Sequence, residues 1–117
     1  MTIGILVNAI FFLSMGVSAL VRPSSVISFV KLVPETVDAR NEVRAVYGGF
    51  GVVVSVLLIY SAYNSDIRSG ALIAVAASLL GMALGRIISL FIEKPGKWPI
   101  VFMFMESALA GLLLWGR

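Results

Sequence analysis

Residues 70–92 read GALIAVAASLLGMALGRIISLFI, and Arg86 is the single charged residue in this stretch. An α-helix rises about 1.5 Å per residue, so a run of this length covers the roughly 30 Å of hydrocarbon in a bilayer. In water, so much apolar surface would have to be buried, and a chain of 117 residues is short for that task. The stretch therefore predicts a transmembrane helix.

Three further apolar runs of similar length lie on either side of this stretch, at residues 3–21, 45–63 and 98–114. Pro34 suits the first turn of a helix, and the acidic residues Glu35 and Asp38 favour the positive end of a helix dipole. The second helix is therefore expected to begin near residue 35. The sequence predicts an all-α fold in a single domain, residues 1–117: an integral membrane bundle of four transmembrane helices at about 3–21, 35–63, 70–92 and 98–114.

The composition agrees with a protein whose solvent is the bilayer. Hydrophobic residues make up 60% of the chain and charged residues 13%, whereas soluble domains carry about 25% charged residues. The chain contains neither cysteine nor histidine, which excludes thiol nucleophiles, disulfides and metal sites built from thiolate or imidazole. No metal, cofactor or catalytic residue is predicted. The net charge of +3 is spread over short loops, so membrane topology explains it better than nucleic-acid binding does.

The longest predicted connection, residues 22–42, contains an apolar pattern of its own. Its apolar residues at helical spacing are Val26, Phe29, Val30 and Val33. A short pattern of this kind between two transmembrane helices predicts a helix that lies in the membrane interface, at about residues 24–33. The other two connections, residues 64–69 and 93–97, are predicted to be tight turns.

Basic residues are distributed unequally between the two ends of the predicted bundle. Arg68 and Arg117 lie at one end, and six basic residues flank the first and third connections at the other end: Arg22, Lys31, Arg40, Arg44, Lys94 and Lys97. Cytoplasmic loops of membrane proteins carry an excess of Lys and Arg. The sequence therefore predicts a multi-pass protein of the plasma membrane, with the long first loop in the cytoplasm and both termini outside.

Small residues recur every four positions along the third helix, at Ala77, Gly81, Gly85 and Ser89, and the second helix contains Gly48 and Gly49. In a bilayer, helices associate by close backbone approach over small side chains, because lipid supplies no hydrophobic force between them. Two interpretations stay open, packing within one monomer or a homodimer interface. The first carries more weight, because a four-helix chain must pack internally first.

Two opposite charges, Arg86 and Glu106, fall at matching depths in the third and fourth helices. A charge in hydrocarbon costs about 2.5–3.5 kcal/mol on insertion scales, and pairing on adjacent antiparallel helices removes much of that cost. We therefore predict an Arg86–Glu106 salt bridge that faces the bundle interior. Asn8, in the first helix, is interpreted as an interhelical hydrogen-bonding residue.

Further polar residues stand at the same end of the second helix: Asn41, Glu42, Arg44 and Tyr47. Arg44 and Tyr47 are three positions apart and share a face of an α-helix. Together with Arg86 and Glu106 they predict a polar ligand-binding pocket with two arginines against one buried acid. That balance favours an anionic or carbonyl-bearing ligand, such as a phospholipid headgroup or a quinone. The alternative is that the charges only lock the helices together.

Three motifs resemble one protein family. They are NEVRAVYGG at residues 41–49, GMALGR at residues 81–86 followed by Ser89, and the single acid Glu106 of the last helix. With their spacing, which spans nearly the whole chain, they resemble the signature of a bacterial four-helix membrane family known as domain of unknown function 4345. The resemblance implies a bacterial inner-membrane protein and marks as family-like the residues Glu42, Arg44, Tyr47, Gly48, Gly49, Arg86 and Glu106. The third turn, residues 93–97, departs from the expected pattern.

Three functions are compatible with these patterns. The favoured one is a non-catalytic membrane module that binds a lipid-like or anionic ligand, or that serves as an accessory subunit of a membrane complex. Its expected partners are membrane lipids, and either a second copy of the chain or a larger complex. The second is an oligomeric transporter or channel that uses Arg86 and Glu106. The third is a lipid-modifying enzyme, which a lone carboxylate beside an arginine supports poorly.

Overall fold

Four helices that are long and apolar enough to cross a membrane form the chain in the computed structural model, which describes residues 2–116. They are α1 (Ile3–Val21), a continuous second helix over Val37–Ala62, α5 (Ser65–Ile92) and α6 (Lys97–Gly116). The second helix consists of α3 (Val37–Val43), a π-helical segment (Arg44–Gly49) and α4 (Phe50–Ala62). Between α1 and α3 lies a short helix, α2 (Ser24–Ile27), which continues as a 3-10 turn (Ser28–Val30). The predicted all-α transmembrane bundle with a short helix in its first loop is confirmed.

Capping side chains set the helix ends, and two of these ends differ from the prediction. Thr36 accepts a hydrogen bond from the Ala39 amide at 3.0 Å, so α3 begins at Val37 and Pro34 stays outside the helix. Asn64 accepts from the Asp66 amide at 3.1 Å, so α5 begins five residues before the predicted residue 70. Both caps provide an acceptor for an amide that the first turn leaves unpaired.

The core lies at the end of the bundle that holds the first residues of α1 and the last residues of α6, here called the termini end. Buried residues of all four spanning helices meet there, including Ile5, Phe12, Leu58, Leu79 and Leu113. The opposite end, which holds the first and third connections, is called the long-loop end. At the termini end Asn8 is fully buried, and its side-chain amide donates to the Leu109 carbonyl at 3.1 Å. This confirms the predicted interhelical role of Asn8.

Glycines bring α1 and the second helix into close backbone contact. A Cβ atom on Gly16 would lie 2.6 Å from the Val52 amide nitrogen and 2.8 Å from the Gly48 carbonyl oxygen. A Cβ on Gly51 would lie 2.7 Å from the Phe12 carbonyl oxygen. Gly48 is therefore a packing residue, as predicted. Gly49 is not in such close packing, because a Cβ there would meet only the Arg44 carbonyl oxygen, at 3.8 Å.

The small residues of α5 lie on the outside of the bundle, so the prediction that they pack within the monomer was wrong. Ala77, Gly81, Gly85 and Ser89 are exposed, and a Cβ on Gly81 or Gly85 would meet nothing within 4 Å. The face that α5 buries instead includes Ala76, Leu79 and Ala83. One residue turns an α-helix by about 100°, so the stripe that starts at Ala77 faces away from the stripe that contains Ala76.

Candidate functional site

A cavity of about 1050 Å³ lies between the two helical hairpins, on the long-loop side of the core. α1 and the second helix form one hairpin, and α5 and α6 form the other. The buried side chains Phe12 and Leu79 belong to both the core and the cavity wall, so the core closes the cavity toward the termini end. The hairpins therefore converge at the termini end and separate at the long-loop end.

An aromatic cluster closes one side of the cavity, between α1 and α6. The ring of Phe29, in the 3-10 turn, lies 4.9 Å from the ring of Trp98 and 6.0 Å from that of Phe102, centroid to centroid. These distances and the edge-to-face arrangement of the rings are typical of favourable aromatic pairs. The 3-10 turn of the first loop thus ties the first hairpin to the start of α6.

The opposite side of the cavity, between the π-helical segment and α5, is the more open one. The π-helical segment packs along α1 and does not pack extensively against α5. Val46 and Phe50 border the cavity from one side and Met82 from the other, and all three have exposed side chains. Apolar residues on both edges make this opening suited to contact with hydrocarbon rather than with water.

The predicted ion pair is present and lines the cavity. Arg86 Nε donates to Glu106 Oε1 at 2.9 Å, and Arg86 Nη2 donates to Glu106 Oε2 at 3.1 Å. Glu106 is 5% exposed, whereas the Arg86 side chain is 30% exposed. The Arg86 guanidinium also stands over the Phe102 ring, 5.4 Å from its centroid. Two parallel charge-assisted hydrogen bonds fix the orientation of both side chains.

Tyr47 lines the same cavity as Arg86 and Glu106, from the π-helical segment. π-Helical turns are rare and occur frequently at functional sites. Of the six predicted site residues, these three are brought together by the structure.

The other three predicted site residues lie outside the cavity wall. Arg44 Nε donates to the Leu20 carbonyl oxygen at 3.2 Å, so this guanidinium caps the end of α1. Asn41 and Glu42 have exposed side chains that do not contribute to the lining. The prediction that Arg44 and Tyr47 share a face assumed α-helical geometry. In the structure both residues belong to the π-helical segment, in which Tyr47 lines the cavity and Arg44 bonds to the end of α1.

The cavity wall is largely aromatic and aliphatic, with a few hydroxyl groups. Sequence reasoning missed most of these residues, because none of them is charged or belongs to a recognisable motif. Only their positions in the folded chain show that they line the same cavity. Its apolar part includes Phe11, Met15, Val26, Ile27, Phe29, Phe102 and Met105, and its serines are Ser14, Ser18, Ser25 and Ser78. Ser25 and Ser78 donate to main-chain carbonyls of Ser18 and Ala74, at 3.2 and 2.9 Å.

The cavity wall presents few polar groups, and its two charged side chains are paired with each other. Within residues 2–116, no group of three or more Asp or Glu side chains could hold a metal ion. The one carboxylate in the cavity wall is held by both oxygens on Arg86. What the cavity offers a ligand is apolar volume, aromatic faces and a few fixed polar groups.

Comparison with known proteins agrees with the resemblance drawn from the three motifs. The model of one family, described as Domain of unknown function (DUF4345), matches residues 1–117, the whole chain. No curated protein and no solved structure matches the chain.

Proposed function

The chain belongs to the family described as Domain of unknown function (DUF4345), and we propose that it is a non-catalytic membrane module that binds a lipid-like ligand between its two hairpins. One observation carries this proposal: an open-sided cavity of about 1050 Å³ with mainly apolar walls is lined by an oriented Arg86–Glu106 pair. Ligand sites in proteins are typically clefts of about 300–1000 Å³ in which a few placed polar groups orient an otherwise apolar ligand.

The position of the opening supports a ligand that arrives from the bilayer. The gap between the π-helical segment and α5 is edged by Val46, Phe50 and Met82, whose exposed side chains are apolar. A water-soluble ligand would have to lose its hydration to pass such edges, whereas a lipid exchanges one apolar surrounding for another. Membrane lipids are therefore the proposed binding partners.

The direction in which Glu106 points favours this function over an oligomeric channel. Its carboxylate faces the cavity inside one monomer and is paired there with Arg86. A pore built between several copies would need such a group on an outer face of the bundle. The packed core at the termini end also separates the cavity from that end of the molecule.

The proposed location is the bacterial inner membrane, with the long first loop in the cytoplasm. The family resemblance supports the bacterial origin, and the excess of Lys and Arg at the long-loop end supports the orientation. In this orientation the cavity belongs to the cytoplasmic leaflet.

Two matched serines provide the test. Ser78 and Ser107 are both exposed and both donate to the carbonyl four residues earlier, at 2.9 and 2.8 Å, but only Ser78 lines the cavity. We expect Ser78→Trp to fill part of the cavity and to reduce the amount of lipid that stays bound after purification, measured by native mass spectrometry. Ser107→Trp should retain as much lipid as the wild type. Equal lipid retention in both variants, or no retained lipid in the wild type, would contradict the proposal.

A further inference from the structure

We infer that the ligand of this cavity is an amphiphile with an uncharged, hydrogen-bond-accepting headgroup, such as an ester, a ketone or a hydroxyl, and not an anionic lipid. This inference rests on the proposed function and adds the chemical class of the ligand. It narrows the expectation drawn from the sequence, which placed two arginines against one acid and admitted an anionic or a carbonyl-bearing ligand.

The charges in the cavity wall cancel. Arg86 and Glu106 are the only charged side chains among the lining residues of the described chain, and they are paired in a bidentate salt bridge. Arg44, which would have made the wall positive, is bonded to the end of α1 instead. An anionic headgroup in this cavity would therefore meet no net positive charge.

Because the surroundings of the Arg86–Glu106 pair have low polarity, the net charge of the cavity wall decides which class of headgroup can bind. The surrounding wall is formed mainly by aromatic, aliphatic and methionine side chains with four serines, and the edges of its open side are apolar. An ion without a counter-charge in such surroundings is far less stable than in water, whereas an uncharged group loses much less. Binding an anion here would require Arg86 to give up Glu106, which would then become a buried charge without a partner.

Four lining residues keep a donor for an uncharged acceptor. Nη1 of Arg86 and the hydroxyls of Tyr47, Ser14 and Ser18 have no hydrogen-bond acceptor within residues 2–116, and all four residues line the cavity. A carbonyl or hydroxyl oxygen can accept from any of these donors without disturbing the salt bridge. The rest of the amphiphile would lie against the rings of Phe11, Phe12 and Phe102.

Fluorescence quenching by brominated lipids can test the inference, because the chain has only two tryptophans, Trp98 and Trp115. In a W98F/W115F background, F11W places a reporter in the cavity wall, since Phe11 lines it. The control reporter is Trp115, studied in the W98F variant. Its side chain is 81% exposed and therefore senses bulk lipid. Both are reconstituted in phosphatidylcholine vesicles that contain brominated diacylglycerol, which is uncharged, or brominated phosphatidylglycerol, which is anionic, at equal mole fraction.

We expect the F11W reporter to prefer the diacylglycerol probe by about tenfold in apparent affinity, while the Trp115 reporter responds equally to both. Adding E106Q leaves Arg86 without its counter-charge, so the preference of the F11W reporter should reverse toward the anionic probe. Adding R86Q and E106Q together keeps the wall neutral, so the preference for the uncharged probe should persist even where E106Q alone does not fold.

The two proposals fail in different ways. Stronger or equal quenching of the F11W reporter by the anionic probe overturns the inference and leaves lipid binding standing. An unchanged preference in a folded E106Q variant also overturns it, because the charge count would then not decide the ligand. If neither probe quenches the F11W reporter while both quench Trp115, the cavity holds no lipid and the proposed function fails with the inference.

Discussion

The contact between α1 and the second helix allows a quantitative prediction for Gly16→Ala. The added Cβ would lie 2.6 Å from the Val52 amide nitrogen and 2.8 Å from the Gly48 carbonyl oxygen, whereas ordinary van der Waals contact begins at 3.4 Å. Both atoms belong to the backbone, so the helices themselves would have to separate. Overpacking of this kind costs about 1–3 kcal/mol, and a site blocked by backbone lies at the upper end of that range.

The helix propensity of alanine offsets part of this cost. Alanine is about 1 kcal/mol more favourable than glycine inside a helix, so Gly16→Ala should lower the free energy of unfolding by about 2 kcal/mol. Gly85→Ala is the matched control, because a Cβ at that position meets nothing within 4 Å. It should change the free energy of unfolding by between zero and about 1 kcal/mol, in the stabilising direction.

Unfolding by SDS in mixed micelles, followed by far-ultraviolet circular dichroism, measures both variants. The titration is repeated at several protein concentrations, so that a loss of stability caused by a broken dimer contact shows itself as concentration dependence. The reasoning is refuted if Gly16→Ala is as stable as the wild type. It is also refuted if Gly85→Ala destabilises the protein at every concentration as much as Gly16→Ala does.

Three further outcomes are expected. Glu106→Gln leaves the partly buried Arg86 without a counter-charge and should lower the free energy of unfolding by about 2–3 kcal/mol, less than the about 3–5 kcal/mol typical of fully buried pairs. The double variant R86Q/E106Q should recover part of this loss in the same SDS titration. A double variant that is less stable than either single variant would contradict the pairing. Asn8→Leu removes one interhelical hydrogen bond and should cost about 0.6–1.7 kcal/mol, measured in the same way; a neutral effect would show that the hydrogen bond contributes nothing. The chain has no cysteine, so a single introduced cysteine can be labelled specifically. In the proposed orientation, Lys31→Cys should react with a membrane-impermeant maleimide only after cell lysis, whereas Asp66→Cys should react in intact cells. The reverse pattern would invert the proposed orientation.

Much of the fold can be predicted from the sequence, because the bilayer imposes a length on each apolar run. The four spanning helices all lie where hydropathy places them. The starts of α3 and α5 were less well predicted, although their caps, Thr36 and Asn64, are visible in the sequence. Polar first turns extend past the hydrocarbon, so hydropathy alone gives the membrane span and not the whole helix.

The candidate site could be predicted only in part. The equal depths of Arg86 and Glu106 in the membrane were enough to predict that they pair. Depth follows from the residue number because the rise of a helix per residue is fixed, and a buried charge requires a partner. The π-helical segment that contains Arg44 and Tyr47 carries no recognisable sequence signal. The cavity itself depends on the angle between two hairpins, which is a property of tertiary packing and not of any one segment.

Small residues show a second limit of sequence reasoning. Gly81 and Gly85 follow the spacing of a helix-packing motif, yet they face outward, whereas Gly16 has no such spacing and lies in close contact with the backbone of the second helix. Spacing identifies a face of one helix and does not identify the helix that covers it. The face of α5 that is buried in the bundle is the one that carries its larger apolar residues, and the small-residue spacing does not reveal this.

The two ends of the molecule are packed unequally, with a continuous core at the termini end and the cavity toward the long-loop end. At the long-loop end the aromatic contacts of Phe29 with Trp98 and Phe102 tie the hairpins together. Each ring contact of this kind contributes only about 0.5–1.5 kcal/mol beyond the area it buries. Lateral pressure in the bilayer would therefore act on the weakly tied cavity end more than on the packed core at the termini end.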